Sequence, residues 1–154
     1  MIQRIQTVYL LLAAAIVSLF FFLPLGHFLG DVQQYVLTAT GLRTAEGGVV
    51  SPTQPMKLMA VIAVVMPLLT IFIYKRRQRQ LRFCYASMAA LAGLQVMACI
   101  YLWSFWHVMQ GFEIHAARLS AGAVAPIVAF VPVWMAMRAI RRDEEKVRSI
   151  DRIR

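Results

Sequence analysis

Four apolar runs divide the chain, at residues 8–25, 56–74, 84–106 and 119–137. Each is close to the length of about 20 residues that a helix needs to cross about 30 Å of hydrocarbon. The pattern predicts an all-α membrane protein: a four-transmembrane-helix up-down bundle. Short polar links at 75–82 and 107–118 make the second and third, and the third and fourth, runs antiparallel neighbours.

Only the first link, 26–55, is long enough to carry structure of its own. It contains an alternating stretch, Gln34-Tyr35-Val36-Leu37-Thr38-Ala39-Thr40, then Gly41, and further on Gly47-Gly48-Val49-Val50 before Ser51-Pro52. Residues that favour strands, set between glycine turns, point to a small two-stranded hairpin over the bundle mouth. An isolated hairpin is marginal in water, so this one needs the helix ends to pack against, and an irregular loop is the alternative.

The last apolar run leads into a segment, 138–154, without glycine or proline. Arg141 with Glu145, Glu144 with Arg148 and Arg148 with Asp151 stand at helical spacing. Ile140, Val147, Ile150 and Ile153 form a thin apolar stripe on the same helix. The fourth span is therefore expected to continue as a cytoplasmic helical extension whose stripe docks a partner or lies on the headgroups. A solvated charged tail is the other reading.

Within the spans, small residues mark helix contacts, since lipid supplies no hydrophobic drive and close backbone approach has to provide the packing. Ala121, Ala125 and Ala129 recur every four residues on one face of the fourth span, and Gln95 is placed to hydrogen-bond between helices. Pro67, Pro126 and Pro132 are expected to bend their helices.

Composition sharpens this reading. The 154 residues are 60% hydrophobic, which leaves no stretch able to bury a separate aqueous core, so the chain is one integral membrane domain. The net charge of +9 would suggest nucleic acid in a water-soluble protein. Its placement argues otherwise. Arg4, then Lys75, Arg76, Arg77, Arg79 and Arg82, then Arg138, Arg141, Arg142, Lys146, Arg148, Arg152 and Arg154 fall on one side of the spans, while the other two links are nearly bare. The positive-inside rule accounts for these cations, assigns both termini to the cytoplasm and removes the case for nucleic acid. The opening apolar run exceeds the usual h-region of about 7–15 residues and lacks a small-x-small exit, so it reads as a retained anchor. Cys84 and Cys99 sit about 22 Å apart along one predicted helix, too far to bridge.

Candidate chemistry is sparse. No strongly ionisable residue falls at the centre of a span, where a proton-coupled transporter or pump needs one. His27, His107 and His115 all map to the exoplasmic side, with Asp31 and Glu113 near in sequence. Imidazoles and carboxylates gathered at one bundle mouth are candidate ligands for zinc or copper, although the spacing matches no ligand motif. Trp103, Phe105, Trp106 and Phe112 at the same level read as an interfacial aromatic belt, not a cofactor stack, and no cofactor is expected.

The two ends, Met1-Ile2-Gln3-Arg4-Ile5-Gln6-Thr7-Val8-Tyr9-Leu10 and Ile140-Arg141-Arg142-Asp143-Glu144-Glu145-Lys146-Val147-Arg148-Ser149-Ile150-Asp151-Arg152-Ile153-Arg154, carry the most distinctive residues. On these the chain resembles an uncharacterised family of small four-span inner-membrane proteins of the Bacteroidetes, a domain-of-unknown-function family. The resemblance implies a multi-pass inner-membrane address in a Gram-negative envelope and brings no substrate, cofactor or catalytic residue.

The leading expectation is a non-enzymatic subunit or adaptor of a membrane complex. Its partners are the lipid bilayer and a membrane or cytoplasmic protein, or a second copy of the chain. The alternatives are a membrane redox or metal-binding protein using the histidines, and a small-solute transporter.

Overall fold

A computed structural model describes residues 2–30, 33–44, 46–73, 77–109 and 114–151. Four helices, α1 (Ile2–Leu19), α2 (Gln54–Phe72), α3 (Arg77–Met109) and α4 (Ala125–Asp151), are joined by five strands, β1 (Gly26–Gly30), β2 (Gln34–Thr38), β3 (Gly41–Thr44), β4 (Val49–Pro52) and β5 (Ile114–Leu119). The helices form a ring in which α1 and α3 each pack against both α2 and α4. Three helical stretches, Gln54–Phe72, Gln78–Val108 and Ala121–Glu144, are long and apolar enough to cross a membrane, whereas Ile5–Leu19 of α1 is a shorter apolar helix.

Large apolar side chains cover the outside of the ring: Val8, Leu11, Leu58, Val65, Val96, Ile100, Ile127 and Val131 are all exposed. Where the helices face one another, many of the buried residues are alanines. Ala13, Ala60, Ala63, Ala90, Ala98 and Ala129 interleave with Val17, Leu91, Leu94 and Val133 in the main core. That inversion suits a lipid solvent, where large residues cost nothing on the outside and small ones let backbones approach. Ser18, Thr70 and Ser87 each donate a 2.8 Å hydrogen bond to the carbonyl four residues earlier, which satisfies their hydroxyls within the helix.

The larger departure from the sequence reading is the sheet. In place of a two-stranded hairpin stands a five-stranded antiparallel sheet in the order β4-β3-β2-β1-β5. The stretch at 34–40 pairs with β1 on one side and β3 on the other, and the strand at Val49 pairs with β3, not with β2. Gly41 explains this. It faces Thr38 across a tight turn with φ +154, and a Cβ there would stand 2.7 Å from the Ser51 carbonyl oxygen, so only glycine lets β3 fold back at this point.

Span boundaries shift for the same reason. α1 ends at Leu19, and residues 20–25 turn into β1, so the first helix does not reach 25. Leu119 closes β5, and a 3-10 turn, Ala121–Val124, precedes α4, so the fourth helix begins at Ala125 and not at 119. Pro126 thereby falls in the first turn of α4, where its missing N–H is no loss and it bends nothing, whereas Pro67 and Pro132 lie inside their helices.

The sheet caps one end of the ring, termed the sheet end. Its inner face buries Phe28, Leu37 and Leu42 in the same core as Val17, Met56 and Ala125. Two tethers hold it. Thr53, fully buried at the N-cap of α2, donates a 3.1 Å hydrogen bond to the Ala39 carbonyl in the β2–β3 turn. Gly122 donates its N–H to the Pro24 carbonyl at 3.1 Å, and Ser120 to that of Leu25 at 3.0 Å, locking the start of α4 against the exit of α1. The opposite end, where Leu10, Cys84, Ala136, Met137 and Ile140 form a second core flanked by Ile71 and Leu81, is termed the basic end.

Candidate functional site

At the sheet end, β1 alternates: Gly26 and Phe28 are buried while His27 and Leu29 are partly exposed. Residues directly opposite on paired strands share a face. His27 is opposite Arg118 on β5 and Val36 on β2, and Val36 is opposite Arg43 on β3, so Arg118, His27, Val36 and Arg43 form a row on the outer face. Arg43 donates a 3.1 Å hydrogen bond to the Thr40 hydroxyl.

The histidines of the sequence reading are distributed over separate elements. His27 lies in β1, not at the end of a span; His115 lies in β5, and its side chain is outside the described residues; His107 stands exposed near the end of α3. The His107 ring meets Trp103 edge-on, with centroids 4.6 Å apart. Asp31 and Glu113 lie outside the described residues. Among the described residues no three His, Cys, Asp or Glu side chains come together as a group able to hold a metal ion. An apolar groove of about 360 Å³ opens where β1 and β5 meet α3, lined by Phe28, Cys99, Leu102, Trp103, Trp106 and Leu119. Cys99 is exposed, Cys84 is buried, and both thiols are free.

The small-residue face of the fourth helix is divided by the structure. Ala125 and Ala129 are buried in the main core, but Ala121 sits exposed in the 3-10 turn, where Gly122 and Ala123 are the buried residues. The four-residue repeat assumed a helix through Ala121, and a 3-10 turn changes the angle between successive side chains. Gln95 donates a 3.6 Å contact to the Cys99 sulfur within its own helix, and its buried Oε1 has no partner among the described residues.

At the basic end, α4 continues past the second core. Ile140, expected on a docking stripe, is 1% exposed and packs with Leu10, Cys84 and Met137, so it belongs to the bundle core and is removed from the stripe. The side chains of Val147 and Ile150 lie outside the described residues, as does Ile153 altogether. Helical structure nevertheless continues through Asp151.

Two arginines of this stretch rest on aromatic rings. Arg138 lies over Trp134 and Arg141 over Tyr85, each with its guanidinium carbon 5.5 Å from the ring centroid. Arg141 also donates a hydrogen bond to the Tyr85 hydroxyl. Between α1 and α4 an open groove of about 460 Å³ is lined by Ile5, Tyr9, Trp134, Arg138, Arg142 and Asp143, among others. Sequence reading passed over it because its residues lie more than a hundred positions apart; the interfacial aromatic-plus-arginine spacing of Trp134, Arg138 and Arg142 was the available signal.

No curated protein and no solved structure matches the chain. A family model described as a domain of unknown function, DUF4293, matches residues 2–153. From its first helix to the charged end of its last, the chain belongs to the DUF4293 family.

Proposed function

We propose that this protein is a four-span inner-membrane protein with both termini in the cytoplasm, and that it serves as a non-enzymatic subunit or adaptor that docks a protein partner through the extension of α4. The observation that carries the reading is the length of α4 relative to its packing. Its 27 residues amount to about 40 Å of helix, about 10 Å more than the hydrocarbon core requires. Ile140 is the last fully buried side chain among the described residues of α4; beyond it Arg141 and Arg142 are exposed, Asp143 and Glu144 are half-buried, and helix continues to Asp151. A helix that persists beyond its own core presents side chains to something else. Val147 and Ile150, three residues apart, supply the apolar contact that a helix-docking partner reads.

The orientation rests on the cations. The start of α3, with Arg79 and Arg82, and α4 after Met137, with Arg138, Arg141 and Arg142, both belong to the basic end, and the positive-inside rule assigns that end to the cytoplasm. The test is affinity purification from mild detergent of the wild type beside a Val147→Asp/Ile150→Asp double variant. The variant is expected to insert normally and to lose a discrete co-purifying protein. The same set of proteins with both forms, or none with the wild type, contradicts the adaptor reading.

A further inference from the structure

We infer that the groove between α1 and α4 at the basic end is a binding site for one anionic phospholipid, its phosphate held by Arg138 and Arg142 and its acyl chain laid along Ile5, Tyr9 and Trp134. The inference adds a ligand that partner docking does not call for, and it rests on the membrane-spanning part of that reading alone.

Position comes first. Ile5, Trp134 and Met135 are exposed apolar residues on the outer surface of the bundle, and one turn beyond Trp134 the sequence of α4 changes from uncharged to cationic at Arg138. The groove therefore straddles the level at which acyl chains give way to headgroups. Charge comes second. Arg138 and Arg142 are four residues apart and so share a helix face, and both line the groove. Asp143 lines it too, and two arginines against one carboxylate leave the mouth net cationic.

Geometry comes third. Arg138 lies over the Trp134 ring, and a guanidinium placed over an aromatic face can still offer N–H groups to phosphate oxygens. Arg141 makes a useful contrast: with Tyr85 beneath it and the Tyr85 hydroxyl accepting its hydrogen bond, it is occupied by the protein itself. A groove between helices with Arg138 and Arg142 at its mouth and Ile5, Tyr9 and Trp134 along its wall fits a lipid phosphate together with its chain; a free phosphate would use only the arginines.

The experiment uses the full-length protein in a neutral detergent, titrated with phosphatidylglycerol or phosphatidylcholine while thermal unfolding is followed. Phosphatidylglycerol is expected to raise the unfolding temperature at a lower mole fraction than phosphatidylcholine. Because each arginine near an anionic headgroup contributes about 1 kcal/mol, removing both in Arg138→Gln/Arg142→Gln should weaken that response about thirtyfold. Arg79→Gln/Arg82→Gln, which removes equal charge from exposed positions on α3, should leave it unchanged. Independently of any variant, phosphatidylglycerol should protect Arg138 and Arg142 of the wild type from phenylglyoxal while Arg79 and Arg82 stay reactive. Equal weakening in both double variants, an equal response to phosphatidylcholine, a response reproduced by inorganic phosphate, or unprotected Arg138 and Arg142 overturns the site. No partner takes part in the titration, so a failed co-purification leaves this result standing, and the reverse holds as well.

Discussion

At the sheet end, Phe28, Leu37 and Leu42 are sealed beneath strand ladders, and the polar groups near them, such as the Thr53 hydroxyl and the Gly122 amide, are hydrogen-bonded to turns. At the basic end, Gln6 and Gln80 are buried, a donor of Gln6 has no partner among the described residues, and Arg138 and Arg142 line an open groove between α1 and α4. One end is closed by backbone pairing between segments distant in sequence. The other is left open, polar and cationic. A fold stabilised at one end can hold recognition groups at the other without those groups having to hold the fold together.

The comparison predicts that small substitutions at the sheet end are costly and that those at the basic end are cheap. The largest effect is expected for Gly122→Val. A Cβ there would stand 2.4 Å from the Pro24 carbonyl oxygen and 2.8 Å from that of Leu23, both backbone atoms, so the α1–α4 junction has to shift. A loss of about 3 kcal/mol is expected in detergent unfolding. An unchanged unfolding midpoint would show that the junction is slack.

Thr53→Val is expected to cost about 1.5 kcal/mol, because it strips the Ala39 carbonyl of its buried donor while keeping the volume of the side chain. Faster amide exchange should appear first in the β2–β3 turn. An equal loss of protection in all four helices would instead mean that the tether is not local to the sheet.

At the basic end, Tyr85→Phe deletes the hydroxyl that receives Arg141 but keeps the ring beneath the guanidinium. It should change stability by less than about 1 kcal/mol, since both residues are exposed and the contact is screened. A larger loss would mean that the Arg141–Tyr85 contact helps to hold the basic end together, against the contrast between the two ends.

How much of this was legible in the sequence follows the same division. The helices of the second and third runs are marked by apolar length: 56–74 falls close to α2, whereas α3 begins at Arg77, seven residues before the 84–106 run, and takes in most of the expected 75–82 link. The sheet was mostly hidden. β1 reads as the tail of an apolar run because Leu25, Phe28 and Leu29 continue it, and the alternation of His27 with Phe28 is too short to stand out. β5, with two alanines at its centre, has little strand propensity of its own. It exists because Gly26 meets Leu119 and Phe28 meets Ala117 across about ninety positions, a pairing that no local pattern announces. Ile140 misled for the opposite reason: its spacing with Val147 is helical whether the face it marks meets a partner or meets Leu10 and Cys84. The groove arginines were legible as charge, and their convergence with Ile5 and Tyr9 was not.

The division of labour between the ends requires that they face different compartments, and sidedness tests this most directly. Single cysteines placed at Gly47 and after Arg154, in a background where Cys84 and Cys99 are replaced by serine, are to be probed in intact cells with a membrane-impermeant maleimide. Labelling at Gly47, with labelling after Arg154 only once the cells are opened, is the expected result. Labelling after Arg154 in intact cells, with Gly47 protected, would invert the molecule, put the sheet in the cytoplasm and leave the partner-docking role of α4 without support.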